Sequence, residues 1–149
     1  MKWLVRTAAA LVVAAVVAFT GYAMNTGAQA QTQPAAVLGP GLVTVDIGIH
    51  YSKFSLSTLR VHKGTVVRFL IHNDDPIHHE FIVGDASVHL RHQQGNEASH
   101  PPVPGEVSVA PNDVGETFYR FTRTGRFEFA CHLPGHFAYG MKGWVIVEA

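Results

Sequence analysis

Apolar and polar side chains alternate, segment after segment, between short turns rich in Gly, Pro, Asn and Asp, and this pattern most restricts the folds open to residues 42–149. Val43, Val45, Ile47 and Ile49 alternate with Thr44, Asp46 and Gly48, as in a strand with one buried face. Leu59 and Val61 precede a turn at Lys63-Gly64, after which Val67, Phe69 and Ile71 share a face. Asn73-Asp74-Asp75-Pro76 reads as a turn, because Asn and Asp accept turn geometry and proline cannot donate to a ladder. A strand from Ile77 or His78 to Val83 follows; Val107 and Val109 lead into a second turn at Pro111-Asn112-Asp113, and Thr117, Tyr119 and Phe121 alternate again. Thr122 to Gly125 turns the chain into a strand with Phe127, Phe129 and Cys131 on one face, and Trp144 to Val147 is the last apolar strand. Residues 50–57 read as a bend or a short irregular strand, and residues 84–105 as one long loop or a loop with a helical turn around Ser87 to Gln93. Seven to eight strands, with no long amphipathic helix after residue 30, predict an all-β sandwich.

The start of the chain follows different rules. Lys2 and Arg6 precede an apolar run from Ala8 to Phe19, and Ala28-Gln29-Ala30 is a small-x-small cleavage pattern, so residues 1–30 are expected to form a signal helix for export. An uncleaved anchor is the alternative; the run is short for a spanning helix, and a membrane association is expected only if this segment is retained. Residues 31–41, mostly Gln, Pro, Ala and Gly, read as a flexible linker, which leaves residues 42–149 as a single domain. Without residues 1–30 the chain carries nine basic and eleven acidic side chains, a balance that predicts no nucleic-acid partner. With a single cysteine, an exported chain has no internal disulfide, and the thiol is buried, paired with another chain, or a ligand.

The stretch from Cys131 to Met141 favours the last of these. It places a thiolate, an imidazole and a thioether at Cys131-x4-His136-x4-Met141 spacing, with Pro134-Gly135 and Gly140 able to turn the three side chains toward one point. Such soft and borderline donors suit a Cys/His/His copper site with a weak axial methionine, rather than calcium, magnesium or a closed four-ligand zinc site. Strand parity nominates the second histidine: His79 shares a face with Phe81 and Val83 and points inward, while His78 faces out.

With these residues in place the chain resembles the cupredoxins, the small type 1 blue copper proteins of plastocyanin and azurin type. The resemblance rests on Asn73-x-Asp75 leading to His79-Glu80-Phe81, on Val61-x-Lys63-Gly64-x-x-Val67-x-Phe69-x-Ile71, and on the terminal Cys131, His136 and Met141 followed by a last strand. It implies a Greek-key β-sandwich holding one copper ion and carrying single electrons by Cu(II)/Cu(I) cycling. Cys131 would be the strongly bound thiolate, His79 and His136 would complete the plane, and Met141 would be the weak axial donor. Asn73 would tie the two ligand-bearing loops together. A redox donor and acceptor, a cytochrome or a copper enzyme, would dock near His136, beside Pro134, Phe137 and Tyr139, on a periplasmic or extracellular monomer.

Other chemistries fit less well. A multicopper oxidase expects a histidine where Ala130 stands and a His-x-His pair that the chain lacks, and a binuclear centre expects a second cysteine at Gly135. No Ser/His/Asp set, phosphate loop or carboxylate pair stands at informative spacing, so a carrier is expected rather than an enzyme. The competing role is copper binding or delivery without electron transfer, in which His78, His89, His92, His100 and His132 would supply a second, exchangeable site.

Overall fold

A computed structural model describes residues 36–95 and 103–149; the expected signal segment, residues 31–35 of the expected linker, and His100 lie outside the described residues. The chain forms β1 (Leu42–His50), β2 (Lys53–Phe54), β3 (Thr58–His62), β4 (Val66–Asn73), β5 (His79–Gly84), α1 (Ala86–Gln94), β6 (Glu106–Val109), β7 (Val114–Arg120), β8 (Gly125–Ala130) and β9 (Lys142–Glu148). The strands make two sheets, ordered β2-β1-β4-β7 and β3-β9-β8-β5-β6. β1 runs parallel to β4 and β3 parallel to β9, because the chain crosses between the sheets before returning beside an earlier strand, which gives the sandwich its Greek-key character. The expected all-β sandwich is therefore present. The strand beyond the expected seven to eight is the two-residue β2, in the stretch read as a bend or irregular strand.

Alternation decides which side chains meet between the sheets. Ile47, Ile49, Val67, Phe69 and Ile71 from the first sheet face Val61, Phe81, Val83, Phe129 and Val145 from the second, all at most 1% exposed. Phe81 stacks on Phe129 with ring centroids 5.5 Å apart and meets Phe69 at 4.8 Å, so aromatic contacts fill the end of the core beneath Cys131 and His79. β5 breaks the alternation: all six of its residues are buried, since α1 covers its second face. The helical turn left open for residues 87–93 is thus a nine-residue helix.

Gly143 shows how closely this end is packed. A Cβ there would lie 2.2 Å from Cζ of Phe129 and 2.7 Å from the carbonyl oxygen of Ser57, neither of which is a flexible side-chain tip. Gly143→Val is therefore expected to cost about 3 kcal/mol of stability through overpacking, read as a lower urea midpoint at unchanged slope.

Candidate metal centre

Antiparallel pairing of β5 with β8, in register Ile82↔Ala130 and Val83↔Phe129, sets the start of β5 beside the end of β8. His79 opens the one strand and Cys131 follows the other, so residues far apart in sequence become neighbours. The Glu80 amide lies 3.4 Å from Cys131 Sγ, across the same junction.

The loop after Cys131 folds back on itself. The Cys131 amide donates to the Met141 carbonyl at 3.1 Å, and the Met141 amide to the His136 carbonyl at 3.0 Å. Gly135 and Gly140, with φ of 86° and 88°, take the left-handed conformation these turns require. His136 is thereby carried over Cys131, its Nδ1 3.2 Å from Sγ. The His79 and His136 rings lie 4.8 Å apart, and one donor atom from each of His79, Cys131 and His136 falls within 4.8 Å of the others, a group able to hold one metal ion. Met141 is fully buried at the far end of the loop.

Two features prepare this group for a metal. His79 Nε2 lies 3.0 Å from Oδ2 of Asp75, which can only accept, so Nε2 carries the proton and Nδ1 the lone pair. Nδ1 is buried and has no hydrogen-bond partner among the described residues, the condition of a donor awaiting a ligand. Burial holds the His79 imidazole below its ordinary pKa against the opposing pull of Asp75, and burial does the same to His136, so both rings are neutral near pH 7. Burial pushes the Cys131 thiol up to about 11, despite hydrogen bonds from the Glu80 and Leu133 amides.

Asp75 and Glu80 were quoted from sequence only as parts of the motif around His79, with no role of their own. The Asp75 carboxylate is held by the Tyr51 and Ser52 amides at 2.8 and 2.7 Å, both residues adopting left-handed backbone, with φ of 52° and 53°. Burial raises the Asp75 pKa, but these amides and His79 more than offset it, leaving the carboxyl below its ordinary value. Glu80 is 2% exposed, and its carboxylate accepts the His132 amide at 3.3 Å, so it joins the start of β5 to the ligand loop. That tie was expected of Asn73, whose bonds go elsewhere: Nδ2 donates to the Ile77 and Ala110 carbonyls, both at 2.8 Å, and Oδ1 accepts the Asp75 amide at 3.0 Å. Asn73 thus fixes the turn before His79 against the β6–β7 turn.

His78 is exposed, as parity predicted. Around His136, Pro134 is exposed and Tyr139 is 80% exposed, whereas Phe137 is half-buried and stacks on His132 with centroids 5.1 Å apart. His89, His92 and His132 do not enter the centre. They gather on the α1 side of the second sheet, where burial, then the nearby His89 and His92, push the His132 pKa down to about 4.

Residues 42–148 match the copper-binding proteins of the plastocyanin/azurin family. The copper-resistant cuproprotein CopI of Rubrivivax gelatinosus is 41% identical over 100 residues, 64% of this chain and 60% of that protein. Its counterpart in Pseudomonas aeruginosa is 28% identical over 165 residues, 82% of this chain and 90% of that protein. The chain therefore spans somewhat under two thirds of the Rubrivivax protein. Among solved structures, reduced auracyanin of Roseiflexus castenholzii superposes with a TM-score of 0.59 at 18% identity, over 71% of this chain and 97% of its own. Rusticyanin of Thiobacillus ferrooxidans gives 0.54 at 20% identity, over 75% and 80%. At these identities the two structures share the fold.

Proposed function

The chain belongs to the plastocyanin/azurin family of copper-binding proteins, and from that premise we propose that His79, Cys131 and His136 hold one copper ion, with Met141 as weak axial donor, for single-electron transfer. The observation that carries this reading is a buried thiol and two neutral imidazoles whose donor atoms are held within 4.8 Å of one another by hydrogen-bonded strands and turns. Copper in such a donor set supplies a one-electron couple. The chain's part is to keep the donors still: Asp75 locks the His79 ring, the Glu80 amide points at the Cys131 sulfur, and the closed loop 131–141 fixes His136. A frame that need not move when charge changes keeps reorganisation small. The apolar wall of Phe81 and Phe129 disfavours the more charged state and so raises the potential.

His136, half-buried beside exposed Pro134 and Tyr139, is the natural exit for an electron toward a cytochrome or copper enzyme docked there. The pattern of residues 1–30 supports a periplasmic or extracellular location for a carrier that works as a monomer. Copper binding or delivery without electron transfer is the second reading, favoured by relatives named copper-resistant cuproproteins.

Potentiometry with copper analysis separates the two. A carrier is expected to undergo repeated, reversible one-electron reduction with copper retained; loss of copper to an acceptor upon reduction would favour delivery. In the same titration Met141→Leu is expected to keep the visible band and raise the potential, by roughly 60 mV for each tenfold weakening of oxidised-state binding relative to reduced.

A further inference from the structure

Charge is sorted along the length of the sandwich. β8 runs from the turn after β7 to Cys131, and its six residues at ~3.3 Å each set the metal centre about 20 Å from the opposite end. At that far end the β3–β4 turn meets the β7–β8 turn: the Gly64 amide donates to the Phe121 carbonyl at 2.7 Å, and the Phe121 amide to the Thr65 carbonyl at 2.9 Å. These turns and the strand residues beside them carry Arg60, Lys63, Arg120, Arg123 and Arg126, five of the nine basic side chains after residue 30. The acidic side chains there are Glu148, paired with Arg60, and Asp85, 3.2 Å from Arg123. Lys63 and Arg120 are exposed, and no ion pair engages either among the described residues. The metal end has the reverse balance, since exposed Asp74 and Asp113 with buried Asp75 and Glu80 outnumber Lys53 and Lys142.

An apolar side chain stands among the basic ones. Strand register places Leu42, Val66 and Arg120 in one row across β1, β4 and β7, and Leu42 is 67% exposed. Basic side chains around an exposed leucine suit a lipid surface, where cations meet anionic headgroups and the apolar tip reaches the boundary beneath them. The path of the chain favours a bilayer over an acidic protein as the occupant. The Leu38 amide donates to the Arg60 carbonyl at 3.0 Å, and the Leu38 carbonyl accepts the His62 amide at 2.8 Å, so the chain enters the sandwich at this end. Eight residues, reaching at most about 28 Å, separate Ala30 from Leu38. A bilayer that holds the apolar run at residues 8–19 is therefore tethered to the basic end and not to the metal end.

We propose that Lys63, Arg120, Arg123 and Leu42, with Arg60 and Arg126 at the margin, form a contact surface for the anionic headgroups of a membrane, which holds the domain with its His136 end turned away from the bilayer.

The test incubates the full chain with vesicles of phosphatidylcholine, alone or with about 30% phosphatidylglycerol, and reads co-sedimentation and amide hydrogen exchange. Phosphatidylglycerol is expected to slow exchange at residues 62–65 and 121–125 and to leave residues 134–140 unchanged, and about 0.5 M salt should remove the effect. Each basic residue at an anionic surface strengthens binding about fivefold, so Lys63→Gln with Arg120→Gln should lower the phosphatidylglycerol-dependent binding about 25-fold. Both side chains are exposed, and the urea midpoint of this double variant should match the wild type. Leu42→Ser should add a loss that salt does not reproduce. If residues 1–30 insert, sedimentation is complete with both vesicle types, and exchange at the two turns carries the comparison. A parallel arm replaces the vesicles with poly-glutamate at matched charge. Stronger protection by poly-glutamate than by phosphatidylglycerol would assign the surface to an acidic protein and overturn the proposal. Equal exchange with both vesicle types, protection at residues 134–140 in place of the turns, or protection that survives the double substitution would overturn it as well.

Discussion

Cys131→Ser is expected to abolish the intense visible absorption of the copper-loaded protein and to weaken copper binding by more than about 100-fold, the upper end of what loss of a mere outer-shell partner costs. The sulfur is fully buried, with the Glu80 amide at 3.4 Å and His136 Nδ1 at 3.2 Å. A serine hydroxyl can use the same neighbours, so the metal-free fold should lose only about 1 kcal/mol. It cannot become a soft anionic donor at neutral pH, and colour that survives the substitution would refute the ligand assignment. A pH dependence follows from the same site. With the thiol pushed up to about 11, the metal-free protein holds that proton at neutral pH, and copper must displace it. The two imidazoles, held below their ordinary values, add no proton of their own near neutrality. Apparent copper affinity is therefore expected to rise about tenfold per pH unit between roughly pH 7 and 9, with one proton released per copper bound, measurable in weakly buffered solution.

Much of this centre was legible because strand parity is a strict rule. Phe127, Phe129 and Cys131 had to share a face, as did His79, Phe81 and Val83, and both sets point into one core. Parity alone, however, misplaces Glu80: two residues from exposed His78, it should be exposed too, but it is 2% exposed because α1 covers that side of β5. A helix of nine residues, with one buried side chain and no acidic residue in its first turn, leaves too faint a periodic trace to be separated from a loop. The role of Asp75, which the motif names without assigning one, was hidden for another reason. It depends on Tyr51 and Ser52 adopting left-handed backbone, and neither residue type announces that conformation. Asn73 was expected to tie the ligand loops because it stands at a matching position, but hydrogen-bond partners are set by which turns meet in space, and the turn that meets Asn73 is the one after β6.

Asp75→Asn should have the largest effect of any substitution outside the ligands, on both stability and potential. Three N–H groups converge on the carboxylate: Tyr51 on Oδ1, Ser52 and His79 on Oδ2. An amide offers one oxygen, so whichever way Asn turns, its NH2 faces at least one of these donors and leaves it unsatisfied in a site 5% exposed. The expected loss is about 2–4 kcal/mol at pH 7, read from urea midpoints. The sign of the pH dependence is set by the lowered folded-state pKa: the stabilisation is present above the unfolded value and is lost as pH falls through the folded one. Wild type and variant should therefore converge in acid, whereas a purely steric effect would persist there. At the metal, losing the carboxylate frees His79 to take the other tautomer, which hides Nδ1, and removes a negative charge that favours the more positive oxidised ion. Copper affinity should fall about 10–100-fold and the reduction potential should rise. Nitrogen NMR of the metal-free protein reads the first cause without copper, since wild type should show His79 as the Nε2–H tautomer and the variant a mixture. A variant with unchanged tautomer and unchanged potential would show that Asp75 serves the turn at residues 51 and 52 and not the copper ligand.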